Sequence, residues 1–187
     1  MQQMDETPAT QMSEEDLRRI VREEIQAALG ASKDPGSQRA AIIASKGTLD
    51  WAYPPLILAT AAAATGMETS VFFTFYGLNI LLKDFDKELK IGPTGNPAMP
   101  MPQIATIIPG MVPVATKMMK SKFKGKGVAP IGELLDLAAE LGVRLIACRM
   151  TMDVFGYEEA DFRDGVEYAG AAAFISDARK ANVTLFI

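Results

Sequence analysis

The sequence predicts an α/β protein built on a mostly parallel sheet with helices on both faces. Short β-branched or aromatic runs alternate along the chain with longer apolar segments of helical period, and short turns join them. Parallel strands covered on both faces are typically continuous apolar runs, as these are. The composition agrees with a full core, since 49% of the 187 residues are apolar and the mean hydropathy is +0.11.

Proline and glycine residues help to place the elements of this alternation. Pro54 and Pro55 suit the first turns of one helix, Pro130 precedes another, and Gly142 ends it. The predicted strands are 40–44, 69–75, 143–147, 166–168 and 183–187, and the predicted helices are 49–65, 78–82, 114–124, 131–142, 157–162 and 171–181.

Residues 1–38 are predicted to be separate from an α/β domain over residues 39–187. After a disordered start, Ser13 and Asp16 resemble a capping box, and apolar residues then recur at helical spacing. This pattern predicts an amphipathic helix over about residues 13–30. Turn-forming residues follow it and form a linker to the domain.

Two absences exclude most site chemistry. The chain has no histidine, which excludes Ser-His-Asp triads, Cys-His dyads and the usual zinc or iron sites. It has one cysteine, which excludes an intramolecular disulfide, a CxxC pair and an iron–sulfur cluster within one chain. We therefore expect neither a metal nor a cofactor. A formal charge of −4 argues against nucleic acid as a partner.

The apolar segments are too short to predict a membrane span. Residues 51–66 and 104–119 are each about 16 residues long and contain prolines, whereas a bilayer needs about 20 apolar residues. Buried helices are the expected outcome. The first residues are polar and acidic rather than a secretory signal, so a cytoplasmic location is expected.

A lysine-rich segment leaves three interpretations open. Five lysines alternate with methionine and phenylalanine in one short stretch: Lys117, Lys120, Lys122, Lys124 and Lys126. Such a segment forms a solvated basic face, lies on anionic lipid or docks an acidic protein. Peripheral membrane contact by residues 104–126 is kept as an alternative to plain solvation.

Cys148 is the candidate reaction centre. It follows the predicted strand 143–147, and ligands of open parallel sheets bind outside the carboxyl ends of the strands. A thiol there can be activated by the backbone N–H groups of a following helix. The alternative is a small buried hydrophobic residue, which is the commoner role of a lone cysteine.

The predicted pocket around Cys148 draws on three strand-end connections. Its residues are Ser45, Lys46, Gly47, Tyr76, Arg149, Met150, Met152 and Asp153. Lys46 and Arg149 would supply positive charge, and the two methionines would supply an apolar wall. The alternatives are a tight turn at residues 45–47, a turn or cap role for Asp153 and Tyr76, and core packing for the methionines.

The residues around Cys148 strongly resemble a known cysteine motif. The run Ala-Cys-Arg-Met-Thr-Met-Asp-Val-Phe-Gly at residues 147–156 is similar to that of the DsrE/DsrF-like sulfur-relay family. It is closest to the single-cysteine branch often labelled as peroxiredoxin-family proteins. The resemblance covers about residues 39–187 and includes residues 45–50, 73–77 and 164–167 in the same order.

The resemblance implies a flavodoxin-like three-layer fold, usually oligomeric, and a persulfide on Cys148. In such a relay the cysteine receives sulfane sulfur from a rhodanese-like or desulfurase donor and passes it to a TusA-like carrier. The peroxidase label does not follow from the residues, because no peroxide-binding surround is identifiable beside Cys148.

Three functions remain in competition. The first is a sulfur carrier with sulfurtransferase-like chemistry at Cys148, which requires an accessible thiol at a strand-end cleft. The second is a non-catalytic oligomeric scaffold or membrane-associated partner, which predicts a buried thiol among apolar neighbours. The third is a small-ligand or redox-sensing module. The surplus of apolar residues predicts a homo-oligomer.

Overall fold

The structure is a computed structural model, and it describes residues 38–85, 89–92 and 111–187. The predicted amphipathic helix over 13–30, the linker after it and nearly all of the predicted loop over 92–102 lie outside the described residues. The domain boundary at Arg39 therefore stays a prediction.

The described residues form the predicted alternation of strands and helices. The strands are β1 Arg39–Ala44, β2 Glu68–Phe73, β3 Arg144–Cys148, β4 Glu167–Ala169 and β5 Val183–Phe186. The α-helices are α1 Leu49–Ala64, α2 Met111–Gly125, α3 Ile131–Glu140, α4 Arg149–Phe155 and α5 Ala171–Ala178. Two 3₁₀ helices span Phe75–Ile80 and Glu159–Asp161. β2 ends two residues before the predicted end at Phe75, because Phe75 has a positive φ of 48° and leaves the extended conformation.

The five strands form one sheet in the order β4-β3-β2-β1-β5, and every pairing is parallel. The predicted α/β fold is confirmed, although the strand order differs from the 2-1-3-4-5 order of flavodoxin itself. The chain crosses the sheet in one direction from β1 to β4 and then returns to the far side of β1 for β5. Since crossovers keep one hand, three of them cover one face and the last covers the other.

The two faces of the sheet are accordingly covered to different extents. The main core lies under α1 and α3 and includes Leu56, Leu135 and Phe73, with part of α2 packed beside it. The opposite face carries a small cluster of five buried residues under α5: Ala41, Phe72, Ile146, Cys148 and Phe174. Among the residues that the structure describes, the thinner layer is therefore the one that covers Cys148.

Helix α2 carries the lysine-rich segment. It packs on the core through Ala115 and Phe123, whose ring centre lies 4.5 Å from that of Tyr53. Its exposed lysines include Lys117, Lys122 and Lys124. This exposure agrees with a basic face, while contact with lipid or with a partner stays a prediction. Among the described residues, no helix is long and apolar enough to cross a membrane.

The connections that follow β1 and β2 are in direct backbone contact. A Cβ atom added at Gly47 would lie 2.0 Å from the carbonyl oxygen of Tyr76, and one added at Gly77 would lie 2.1 Å from that of Ala44. The Gly77 N–H also donates to the Ser45 carbonyl at 3.3 Å. Glycine at both positions is therefore required for the two connections to meet at the carboxyl edge of the sheet.

We expect Gly77→Ala to lower the free energy of unfolding by about 2 kcal/mol or more, because backbone must move to make room for the methyl group. The measurement is the urea midpoint at constant m value. Gly125→Ala is the matched control, since a Cβ there meets nothing within 4 Å. A shift at Gly77→Ala no larger than that of the control would contradict the close approach.

Candidate functional site

Cys148 is the last residue of β3 and the N-cap residue of α4. It lies opposite Ala169 of β4 in the parallel register, and its backbone is extended, with φ −74° and ψ 111°. The next residue, Arg149, begins α4, and Gly156 ends that helix with a positive φ of 72°. Cys148 thus stands at the carboxyl end of an apolar strand, as the sequence predicts.

The thiol of Cys148 is buried. The residue is 2% exposed and belongs to the apolar cluster under α5. Side chains alternate along a strand, so Cys148 shares its face with Ile146, whereas Ala147 points into the main core. This environment matches the scaffold hypothesis, which predicts a buried thiol among apolar neighbours.

The cover over Cys148 is a short helix with one buried residue. Phe174 is that residue of α5, and its ring centre lies 5.3 Å from the ring centre of Phe72. An ion pair of 2.8 Å joins Asp177 of α5 to Arg144, but both side chains are partly exposed, and such pairs contribute only about 0–1 kcal/mol. The cover depends chiefly on Phe174.

A group of hydroxyls joins the connection after β2 to helix α4. The Oγ1 atoms of Thr74 and Thr151 lie 3.2 Å apart, and the Phe75 N–H donates to Thr151 Oγ1 at 3.3 Å. Thr151 is 3% exposed, although it is polar. The sequence does not predict Thr151 as a pocket residue, because a threonine in the first turn of a helix gives little sign of a contact with the connection after another strand.

The predicted pocket residues Ser45, Gly47 and Tyr76 meet at the same edge of the sheet. The Ser45 hydroxyl donates to the carbonyl oxygen of Ile187 at 2.9 Å, and Gly47 lies against the Tyr76 backbone. The exposed Tyr76 ring stacks on Phe155 of α4 with ring centres 5.7 Å apart. Tyr76 therefore supports the end of α4, and Gly47 lets the backbone of Tyr76 approach the connection after β1.

The two predicted cations have partners of their own. The Arg149 guanidinium pairs with Glu159 at 3.1 Å and lies 5.6 Å from the Tyr168 ring centre. The Lys46 ammonium lies 3.2 Å from the centre of the Trp51 ring. Both side chains are exposed, so their charge is held at the surface rather than within the cluster around Cys148.

The remaining predicted residues, Met150, Met152 and Asp153, occupy different surroundings. Met152 is buried in the main core, on the other side of the sheet from the Cys148 side chain. Met150 is 61% exposed, and Asp153 is exposed as well. The roles of these three residues toward Cys148 stay predictions. The burial of Met152 in the main core agrees with the alternative of core packing.

Tyr168 of β4 lies beside Arg149 and has a perturbed acidity. Burial raises the pKa of Tyr168, and the negative charge of Glu159 raises it further, whereas Arg149 acts in the opposite direction. Its hydroxyl donates to the Glu159 carbonyl at 3.1 Å. Tyr168 therefore stays protonated and acts here as a hydrogen-bond donor.

A cleft of about 340 Å³ lies at the amino ends of the strands, away from Cys148. Arg39, Glu68, Ser70 and Arg144 line it, and its two arginines pair with the acidic residues Glu68 and Glu167. Among residues 38–85, 89–92 and 111–187, no group of three or more His, Cys, Asp or Glu side chains could hold a metal ion.

Comparison with known proteins gives a consistent family match. A model of the DsrE/DsrF/DrsH-like family matches residues 36–186. The sulfur carrier protein DsrE2 of Allochromatium vinosum is 52% identical over 158 residues, which span 80% of this chain and 98% of that protein. The uncharacterized protein YrkE of Bacillus subtilis (strain 168) is 35% identical over 161 residues, spanning 81% of this chain and 98% of that protein.

A solved structure supports the fold independently. The crystal structure of the YchN protein from E. coli superposes with a TM-score of 0.53 at 14% sequence identity, covering 80% of this chain and 99% of that one. At this identity the likeness concerns the fold alone.

Proposed function

Since this chain belongs to the DsrE/DsrF/DrsH-like family, we propose that it is a sulfur carrier that binds sulfane sulfur as a persulfide on Cys148. The observation that carries the proposal is the 52% identity to a protein named a sulfur carrier, over 98% of the length of that protein. Cys148 is the one cysteine of the chain, and a persulfide needs a cysteine sulfur.

The transfer needs only the thiol. The Cys148 thiolate attacks the outer sulfur of a donor persulfide, R–S–SH, so that a new S–S bond forms on Cys148 as the S–S bond of the donor breaks. The donor leaves as the thiolate R–S⁻, and the proton on the outer sulfur is carried with that sulfur to Cys148. No net oxidant or reductant is consumed. A partner thiolate removes the outer sulfur from Cys148 by the same step.

Donor and acceptor are separate proteins in this function. The family resemblance implies a rhodanese-like or desulfurase donor and a TusA-like acceptor. The exposed lysines of α2, including Lys117, Lys122 and Lys124, offer a basic surface to an acidic partner, with anionic lipid as the alternative. The protein acts in the cytoplasm, free or peripherally attached to a membrane.

A buried thiol must become exposed before it can react with a partner. The attacking species is the thiolate, and a charge among apolar side chains costs free energy unless it is paired. Exchange therefore takes place in an open state, in which α5 with Phe174 moves away or the end of β3 turns outward. Local opening of short, weakly attached elements is common in native proteins.

One observation favours a second function. Because Cys148 is 2% exposed and has apolar neighbours, it also suits a scaffold in which the cysteine is a structural core residue. In that function the family fold is retained without sulfur transfer.

We expect the folded protein to gain the mass of one or more sulfur atoms on Cys148 when it is incubated with polysulfide. The extra sulfur should be removed by dithiothreitol, because a persulfide is reducible. Intact mass spectrometry measures both changes, and peptide mapping locates them.

Cys148→Ala is the control for this uptake. It removes the thiol and keeps a small apolar side chain in the cluster. Equal uptake by wild type and Cys148→Ala, or no uptake by either, would favour the scaffold function.

The protein is also expected to be a homo-oligomer in solution. Large apolar side chains are exposed on two elements, with Ile57 and Leu58 on α1 and Phe186, 73% exposed, on β5. Exposed apolar side chains of this kind commonly mark subunit contacts. Light scattering should give a multiple of the 20.2 kDa chain mass at micromolar concentration; the mass of a single chain would contradict the expectation.

A further inference from the structure

Thr151 is close to two features of the structure that the sulfur-carrier function does not explain. One is the burial of Cys148, which stands three residues earlier in the chain and ends β3. The other is the backbone of Phe75, whose φ of 48° is a rare conformation for a bulky residue. Thr151 is itself buried, and both of its hydrogen bonds are at least partly buried.

The Phe75 conformation has to be held by its surroundings. A non-glycine residue in the left-handed region is strained and persists only where neighbouring contacts fix it. Phe75 is 55% exposed, so its ring supplies little of that fixation. Its backbone N–H donates to Thr151 Oγ1, and the preceding Thr74 lies within hydrogen-bond distance of the same atom. Thr151 therefore contributes directly to holding this strained turn.

The same contact holds helix α4. With seven residues, α4 is far shorter than the roughly 12–15 residues that an isolated helix needs to be marginally stable. It depends on attachment: Met152 in the core, Phe155 on Tyr76, and Thr151 on the connection after β2. Thr151 is in the first turn, next to Cys148. Loss of its attachment would free that turn, and with it the last residue of β3.

We propose that Thr151 is a positioning residue, whose hydroxyl keeps the Cys148 thiol in its buried orientation by fixing the first turn of α4 to the strained backbone at Phe75. This proposal rests on the sulfur-carrier function and extends it, because it identifies the contact that limits exposure of the thiol. Opening of the turn rotates the end of β3, so that Sγ leaves the cluster under α5 and reaches solvent at the carboxyl edge of the sheet.

The test is the rate at which iodoacetamide alkylates Cys148 in the folded protein, measured from zero urea upward. Thr151→Val keeps the shape of the side chain and removes its hydrogen bonds. We expect this variant to react about fivefold faster or more than wild type. The excess should be present without urea and depend weakly on it, as expected for local rather than global opening. Thr151→Ser restores the hydroxyl and should react at nearly the wild-type rate.

Two further variants keep the outcome decisive. Thr60→Val removes another buried hydroxyl, which donates within α1 to the Leu56 and Ile57 carbonyls, and should leave the alkylation rate unchanged. Thr74→Val removes the hydrogen bond between Thr74 and Thr151, and it replaces Thr151→Val as the test if that variant does not fold. Faster alkylation of Cys148 in Thr74→Val then supports the proposal, and alkylation at the wild-type rate overturns it.

A merely structural role for Thr151 predicts different results. Thr151→Val would then react at the wild-type rate, or faster only with the urea dependence of global unfolding, or Thr151→Ser would be as fast as Thr151→Val. Each of these results overturns the proposal. Alkylation uses no sulfur donor, so failure of persulfide loading would count against the sulfur-carrier function and leave the positioning role of Thr151 standing.

Discussion

Backbone contact between the connections after β1 and β2 holds the carboxyl edge of the sheet together. Gly47 and Gly77 permit it, since any Cβ at either position would meet a carbonyl oxygen. The contact fixes the start of the 3₁₀ helix Phe75–Ile80, and with it Tyr76 against Phe155 and Phe75 against Thr151. Helix α4 is attached through these contacts, and Cys148 directly precedes α4. The surroundings of the thiol thus depend on two glycines in other connections.

The strand order determines which layer covers that thiol. Three crossovers fill one face of the sheet, and the return to β5 places α5 on the other, where it is the one helix among the described residues. Cys148 points toward this thin layer and belongs to the same buried cluster as Phe174 of α5. Such an arrangement shields the thiol from water, and a short helix attached by one buried residue is the kind of element that opens locally. A carrier needs both properties, because a persulfide must survive between partners and still be released to the next one.

Much of the fold could be predicted from the sequence, and less of the site. Apolar runs and turn residues predict the strands and helices because each depends on local pattern. In Ile131–Glu140 the buried residues have helical spacing: Ile131, Leu134, Leu135 and Ala138. The position of Cys148 at a strand end also follows locally. Its burial does not, since the face that a strand residue occupies and the helix that covers it depend on the order of the strands. For the same reason Met152, four residues later, lies in the main core, and the link from Thr151 to Phe75 joins residues 76 positions apart.

The most direct test of a buried sulfur carrier is the rate of persulfide formation in Phe174→Ala. This change opens a gap beside Cys148, and Ile175→Ala, an exposed position in the same helix, is the matched control. Circular dichroism establishes that both variants are folded at the assay temperature. If exposure of Cys148 limits sulfur uptake, Phe174→Ala loads sulfur faster than wild type, and Ile175→Ala does not. Absence of Cys148-dependent loading in folded Phe174→Ala as well as in wild type would contradict the sulfur-carrier function.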